Sequence, residues 1–174
     1  TPLSWLSGPA AARMAVAEAI TNICAAPIAA LSDVKLSANW MWPCNNDGED
    51  ARLYEAVEAV SGFAIALGIN IPTGKDSLSM KQRYPDGDVV APGTVIVSAA
   101  GHCNNIIQVV EPVLQKEAGS LYYINFSQDA FQLGGSSFAQ TLNKIGATAP
   151  DVKDPSFVKA AFNVLQEMIS EGQI

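Results

Sequence analysis

Residues 13–22, Arg13-Met-Ala-Val-Ala-Glu18-Ala-Ile-Thr21-Asn22, form an Ala-rich helical run with one carboxylate and one carboxamide a single turn apart on an otherwise apolar surface. A helix stacks residues i and i+4 on one face, so Glu18 and Asn22 project together, with Arg13, Ala15 and Thr21 at other angles. Two oxygen donors on one face suit a hard cation such as Mg²⁺, which takes carboxylates, phosphates and water. The same two residues also read as a solvated helix position and part of a poor last turn, and spacing leaves both readings open. Upstream, Ser7-Gly8-Pro9 marks the helix start, because Ser or Gly suits the cap and an early Pro loses no needed hydrogen bond. Downstream, Pro27 limits the helix, which is expected to run to Cys24 or Ala26.

Outward from that helix, Leu31–Ala38 alternates as a short, partly buried strand does. Asn39-Trp-Met-Trp-Pro43 then reads as a loop whose aromatics pack or wall a ligand. Asp47, Glu49 and Asp50 open the next helix at the positive end of its dipole. Leu53, Ala56, Val57, Val60, Phe63, Ala64 and Leu67 recur at three and four residues, an amphipathic helix stopped by Gly68. Pro72-Thr-Gly-Lys-Asp-Ser77 invites comparison with a phosphate-binding P-loop and fails it: five residues separate Gly68 from Gly74, Asp76 follows the lysine, and a strand pattern comes next. Gly74, Lys75, Asp76 and Ser77 are left as a strand-flanked loop, either a ligand-phosphate contact or a plain turn with a surface ion pair. Tyr84-Pro-Asp-Gly87 is a turn that makes a hairpin of its flanks, and Thr94–Ala100 reads as a central strand. Helix, strand, helix and three strands predict an α+β domain with helices on one face of a mixed or antiparallel sheet.

A second unit is expected from Glu111-Pro112. Leu121–Phe126 reads as a buried strand, and Leu133-Gly-Gly-Ser-Ser137 as a glycine-rich turn into a helix reaching Ile145, either an anion site or a cap. Asp154-Pro155 opens a last helix with Phe157, Ala161, Val164, Leu165 and Met168 on its buried face. The expected domains are residues 1–110 and an incomplete 111–174. Thr1 at the start and Glu171-Gly-Gln-Ile174 at the end read as a piece of something longer.

The 174 residues are 49% hydrophobic and 16% charged, which fits a globular chain with extensive buried surface. A net charge of −7 and a pI near 4.5 argue against nucleic acid, whose backbone needs clustered Lys and Arg. Cys24, Cys44 and Cys103 are far apart and His102 is the lone histidine, so neither a zinc site nor a disulfide framework follows. A nucleophile pair of Cys44 or Cys103 with His102 lacks an orienting third group. No apolar run reaches a membrane span and no signal segment opens the chain, so a reduced, cytoplasmic protein is the expectation.

Four segments, Ala12–Asn22, Lys35–Met41 (KLSANWM), Gly48–Val57 (GEDARLYEAV) and Ile71–Met80 (IPTGKDSLSM), together resemble the large, multidomain phosphoribosylformylglycinamidine synthase family of purine biosynthesis. The resemblance covers essentially the whole chain and is to the second of two repeats related to aminoimidazole ribonucleotide synthetase. It implies that repeat's N-terminal domain, a mixed sheet with helices on one face, and the beginning of an α/β C-terminal domain. It implies an ATP-dependent carbon–nitrogen ligase that converts formylglycinamide ribonucleotide to the amidine with ammonia from glutamine. It also implies that Glu18 and Asn22 hold nucleotide-bound Mg²⁺, at a site of ATP or ADP that is structural rather than catalytic. Gly74–Ser77 then lie near a substrate or nucleotide pocket.

The family's cation site is completed by aspartates before and after this segment, and its glutaminase domain lies elsewhere. The implied partners are therefore the parent chain's other domains, including the pseudo-symmetric first repeat and the glutaminase. The piece alone is expected to be inactive and able to self-associate through unpaired strand edges. Competing expectations are a non-catalytic assembly domain, or a relative of selenophosphate synthetase or thiamine-phosphate kinase.

Overall fold

The computed structural model describes residues 2–114, 116, 119–128 and 130–174. Two helices open the chain, α1 (Pro2–Leu6) and α2 (Gly8–Ile23). The Ser7 hydroxyl accepts the Ala10 N–H at 3.1 Å, capping α2 as its sequence predicts. A 3₁₀ turn (Leu31–Asp33) leads into β1 (Lys35–Met41), and α3 (Glu49–Leu67) ends on Gly68, whose φ of +77° a side chain would resist. Four strands follow: β2 (Asn70–Ser77), β3 (Lys81–Tyr84), β4 (Gly87–Val90) and β5 (Thr94–Ala100). A short α4 (Ser137–Thr141) and the long α5 (Pro155–Ser170) complete the described helices.

The sheet order is β2-β1-β5, with β1 parallel to β2 and antiparallel to β5. Its inner face carries Leu36 and Ala38 against α2 and α3, and the mixed sheet of an α+β domain is as expected. β3 and β4 form the expected hairpin apart from it.

Several local expectations are corrected. The first strand starts later than predicted, because Leu31–Asp33 winds into the 3₁₀ turn, and it runs through Asn39, Trp40 and Met41, which were expected in a loop. β1 is central and β5 lies at the edge, since β1 pairs on both sides. Gly74–Ser77 lie within β2 rather than in a loop. Among the described residues, Leu121–Phe126 forms no strand, and Leu121, Tyr122 and Tyr123 are exposed. α4 stops at Thr141, short of Ile145. On α5 the fully buried residues are Val158, Phe162 and Ile169, while Val164 faces solvent, so the apolar stripe is rotated from the one predicted.

One core cluster runs from Ala12 of α2 through Leu36 of β1 and Phe63 of α3 to Val158 and Phe162 of α5. Within β2, Gly74 pairs with Ala38 of β1, and a Cβ at Gly74 would lie 2.0 Å from the Ala38 carbonyl oxygen. The glycine is thus required by strand packing whatever else the segment does. Gly74→Ala is expected to destabilise the fold by about 3 kcal/mol, the upper range for overpacking, read as a lower denaturation midpoint with an unchanged m-value. A midpoint equal to wild type would contradict this packing.

Candidate functional site

α2 packs small residues inward, Ala12, Val16, Ala17, Ala19 and Ile20 being buried, and leaves Glu18 and Asn22 exposed one turn apart. Thr21 between them is half-buried, its hydroxyl donating to the Glu18 carbonyl at 3.0 Å. Among the described residues, no hydrogen bond or ion pair engages the Glu18 carboxylate or the Asn22 carboxamide. The two side chains lie exposed on one face of α2, as i and i+4 positions of a helix do.

Beside Glu18 lies a cavity of about 370 Å³, walled on the α2 side by Met14, Ala17, Glu18 and Thr21. The opposite wall comes from residues 123–127, 130–133 and 150–152, with Phe126 and Phe131 among them. The ring of Phe126 meets Phe157 edge-on at 6.3 Å, anchoring that wall to α5. Asn22 is not part of this lining, so the cavity opens on one member of the pair only.

Asp151, also on that wall, was not singled out from the sequence, and no spacing signal marks it because its partner lies far off in the chain. Arg13 grips it with a planar fork, Nε at 2.9 Å from one carboxylate oxygen and Nη2 at 2.7 Å from the other. That geometry commits both oxygens to the guanidinium. Among the described residues, no cluster of three or more His, Cys, Asp or Glu is placed to hold a metal ion. The Glu18 carboxylate and the Asn22 carboxamide are oxygen groups of the kind that a hard cation takes. This set fits Mg²⁺, which is commonly held by one or two protein oxygens with phosphate and water filling the other positions.

The Gly74–Ser77 strand is not among the residues lining the Glu18 cavity. Gly74, Lys75 and Asp76 instead border an open groove of about 400 Å³ beside Ala38 and Trp40. Lys75 Nζ donates to Ser77 Oγ at 3.0 Å, the two side chains sharing a face because strand residues alternate. Asp76 sits close enough to Cys44 to act on its thiol. Burial pushes the Cys44 pKa up, and the negative charges of Asp50, Glu49 and Asp76 push it further. Both effects disfavour the thiolate form of this cysteine.

The Gly134-Gly135 turn is also explained by packing. A Cβ on Gly134 would meet the Thr148 carbonyl oxygen at 2.3 Å, and one on Gly135 would meet the Leu3 Cα at 2.4 Å. Their N–H groups donate to the carbonyls of Thr148 and Ile145, at 2.9 and 2.6 Å, and are not offered to an anion.

Compared with known protein families, residues 1–102 match the FGAR-AT PurM_N-like domain.

The electrostatics at Cys44 are directly measurable. Removing a negative neighbour lowers the thiol pKa and raises the thiolate fraction at fixed pH, so Asp50→Asn is expected to speed iodoacetamide alkylation of Cys44, and Asp76→Asn to do so less. Rates unchanged in both variants would remove the acids from the vicinity of Cys44.

Proposed function

The chain belongs to the FGAR-AT PurM_N-like domain family, and on that premise we propose that it is part of an ATP-dependent ligase, phosphoribosylformylglycinamidine synthase, to which it contributes Glu18 and Asn22 as half of a Mg²⁺–nucleotide site. The family context is purine biosynthesis with ATP and Mg²⁺. The observation that carries the residue assignment is the pair of exposed oxygen-bearing side chains one turn apart on α2, of which Glu18 borders a cavity of about 370 Å³.

Mg²⁺ bound there would neutralise charge on nucleotide phosphates. The chain's own residues act around it. Glu18 supplies an anionic oxygen and Asn22 a neutral one, and Met14, Ala17, Phe126 and Phe131 give the adjoining cavity an apolar lining. Following the resemblance, the site is read as the one of the family's two nucleotide sites that holds nucleotide structurally. We assign Gly74, Lys75, Asp76 and Ser77 a place near the substrate or nucleotide pocket of the assembled enzyme, supported by the shared face of Lys75 and Ser77 beside an open groove; Gly74 also serves the sheet.

Residues 1–110 are read as the N-terminal domain of the synthetase-like repeat and 111–174 as the start of the next. The partners are the pseudo-symmetric first repeat and the glutaminase domain, supported by exposed apolar side chains at Ile106, Ile107, Leu121, Tyr122 and Phe131. No helix among the described residues is long and apolar enough to cross a membrane. The three free cysteines agree with a reducing, cytoplasmic setting.

Calorimetric titration of the chain with MgADP tests the assignment. Binding is expected in wild type, with Glu18→Ala and Asn22→Ala each weakening it by about tenfold or more, roughly 1.4 kcal/mol. Equal affinity in all three proteins would overturn the residue assignment. The chain alone is expected to show no amidine formation from formylglycinamide ribonucleotide, ATP and ammonia, and turnover would contradict the structural role.

A further inference from the structure

One stretch of chain grips α2 at two points that bracket the Glu18–Asn22 turn. Before the turn, Arg13 donates both arms of its fork to Asp151. After it, the Cys24 carbonyl accepts from Gln166 Nε2 at 2.8 Å, and Gln166 Oε1 accepts the Ile28 N–H at 2.7 Å. A single carboxamide thus closes the end of α2 and fixes the loop that leaves it.

The two grips are joined by a rigid spacer. The Asp154 carboxylate accepts the N–H groups of Ser156 and Phe157 at 2.9 and 3.0 Å, which fixes where α5 begins relative to Asp151. α5 then seats Val158, Phe162 and Ile169 in the core. A segment seated in the core between two such ties opposes both rotation and fraying of the end of α2.

The last turn of α2 needs such support. Ile20, Thr21, Asn22 and Ile23 are weak helix formers, and the final carbonyls of a helix lack internal partners. Two donors are useful to a cation only when held to within about half an ångström of their working geometry. We propose that residues 151–166 are a brace for the Glu18–Asn22 turn, with Arg13, Asp151 and Gln166 as its positioning residues. The consequence for cation binding rests on the reading of Glu18 and Asn22 as donors, whereas the mechanics do not.

The test uses the full chain and two variants, Arg13→Lys, which keeps the charge and loses the fork, and Gln166→Ala, which removes no charge and carries the test if the first fails to fold. Hydrogen exchange is followed over residues 18–24 and, for comparison, over 56–64 of α3. Affinity for Mn²⁺ with ADP is measured in parallel, with Glu18→Gln as control.

The brace predicts exchange about tenfold faster over 18–24 with little change over 56–64, the signature of local opening, together with Mn²⁺–ADP affinity weakened about fivefold. Wild-type exchange over 18–24 in both variants would overturn it. So would acceleration shared equally with α3, or wild-type affinity despite faster exchange at a site that Glu18→Gln abolishes. If Glu18→Gln binds Mn²⁺–ADP as wild type does, the donor reading fails, and the exchange contrast alone decides the brace.

Discussion

The helical layer and the edge strand β5 are arranged around α2. Its inward residues are small, so neighbours approach closely, and its larger members Val16 and Ile20 are buried outright. Burial of a side chain of that size is worth about 1.5–3 kcal/mol, which gives the chain reason to close around this helix from several sides. α1 and α3 pack on it, β5 passes beneath, and the Asp151 segment is drawn to it by Arg13. What remains at the surface is the edge bearing Glu18 and Asn22, the polar pair that a fully enclosed helix could not keep.

The sheet is arranged by the same requirement. β1 sits at the centre because its inner residues, Leu36 and Ala38, face the helices, and Gly74 lets β2 come against it without a Cβ in the way. Trp42, just beyond β1, is buried where Gly93 leaves room: a Cβ at Gly93 would stand 2.5 Å from the indole ring. Ser4 bridges this corner by donating its hydroxyl to the Gly93 carbonyl, and Arg52 of α3 donates to the Ser4 carbonyl while pairing with Glu49 at 2.5 Å. α1, α3 and the start of β5 are thereby joined around a buried tryptophan.

Local pattern was enough for the elements whose faces differ in polarity. α3 was legible from its three- and four-residue spacing and its Gly68 stop, and the hairpin from Tyr84-Pro-Asp-Gly87. Trp40 and Met41 were placed in a loop because Asn39 and Pro43 flank them, although tryptophan itself favours strands; Gly74–Ser77 were placed there because glycine and charged residues are depleted in strands, and it is pairing with β1 that makes β2 a strand. The Glu18–Asn22 pair was legible because it lies on one helix. Asp151 and Gln166 were not, since each acts on α2 across more than a hundred residues of chain, which no local spacing encodes. Val164 and Val158 show the same limit on α5: both positions are apolar, and only contact with α3 decides which one is buried.

The central claim is that a cation meets this chain at the Glu18 and Asn22 oxygens. The most direct measurement is nuclear magnetic resonance of the isotopically labelled chain during addition of Mn²⁺ with ADP, since a paramagnetic ion broadens the signals nearest to it. The account predicts that resonances of Glu18 and Asn22, with Met14 and Thr21 next, broaden first and recover on exchange of Mn²⁺ for Mg²⁺. Broadening centred elsewhere, on Asp76 and the acids around Cys44 or on no fixed place, would contradict it.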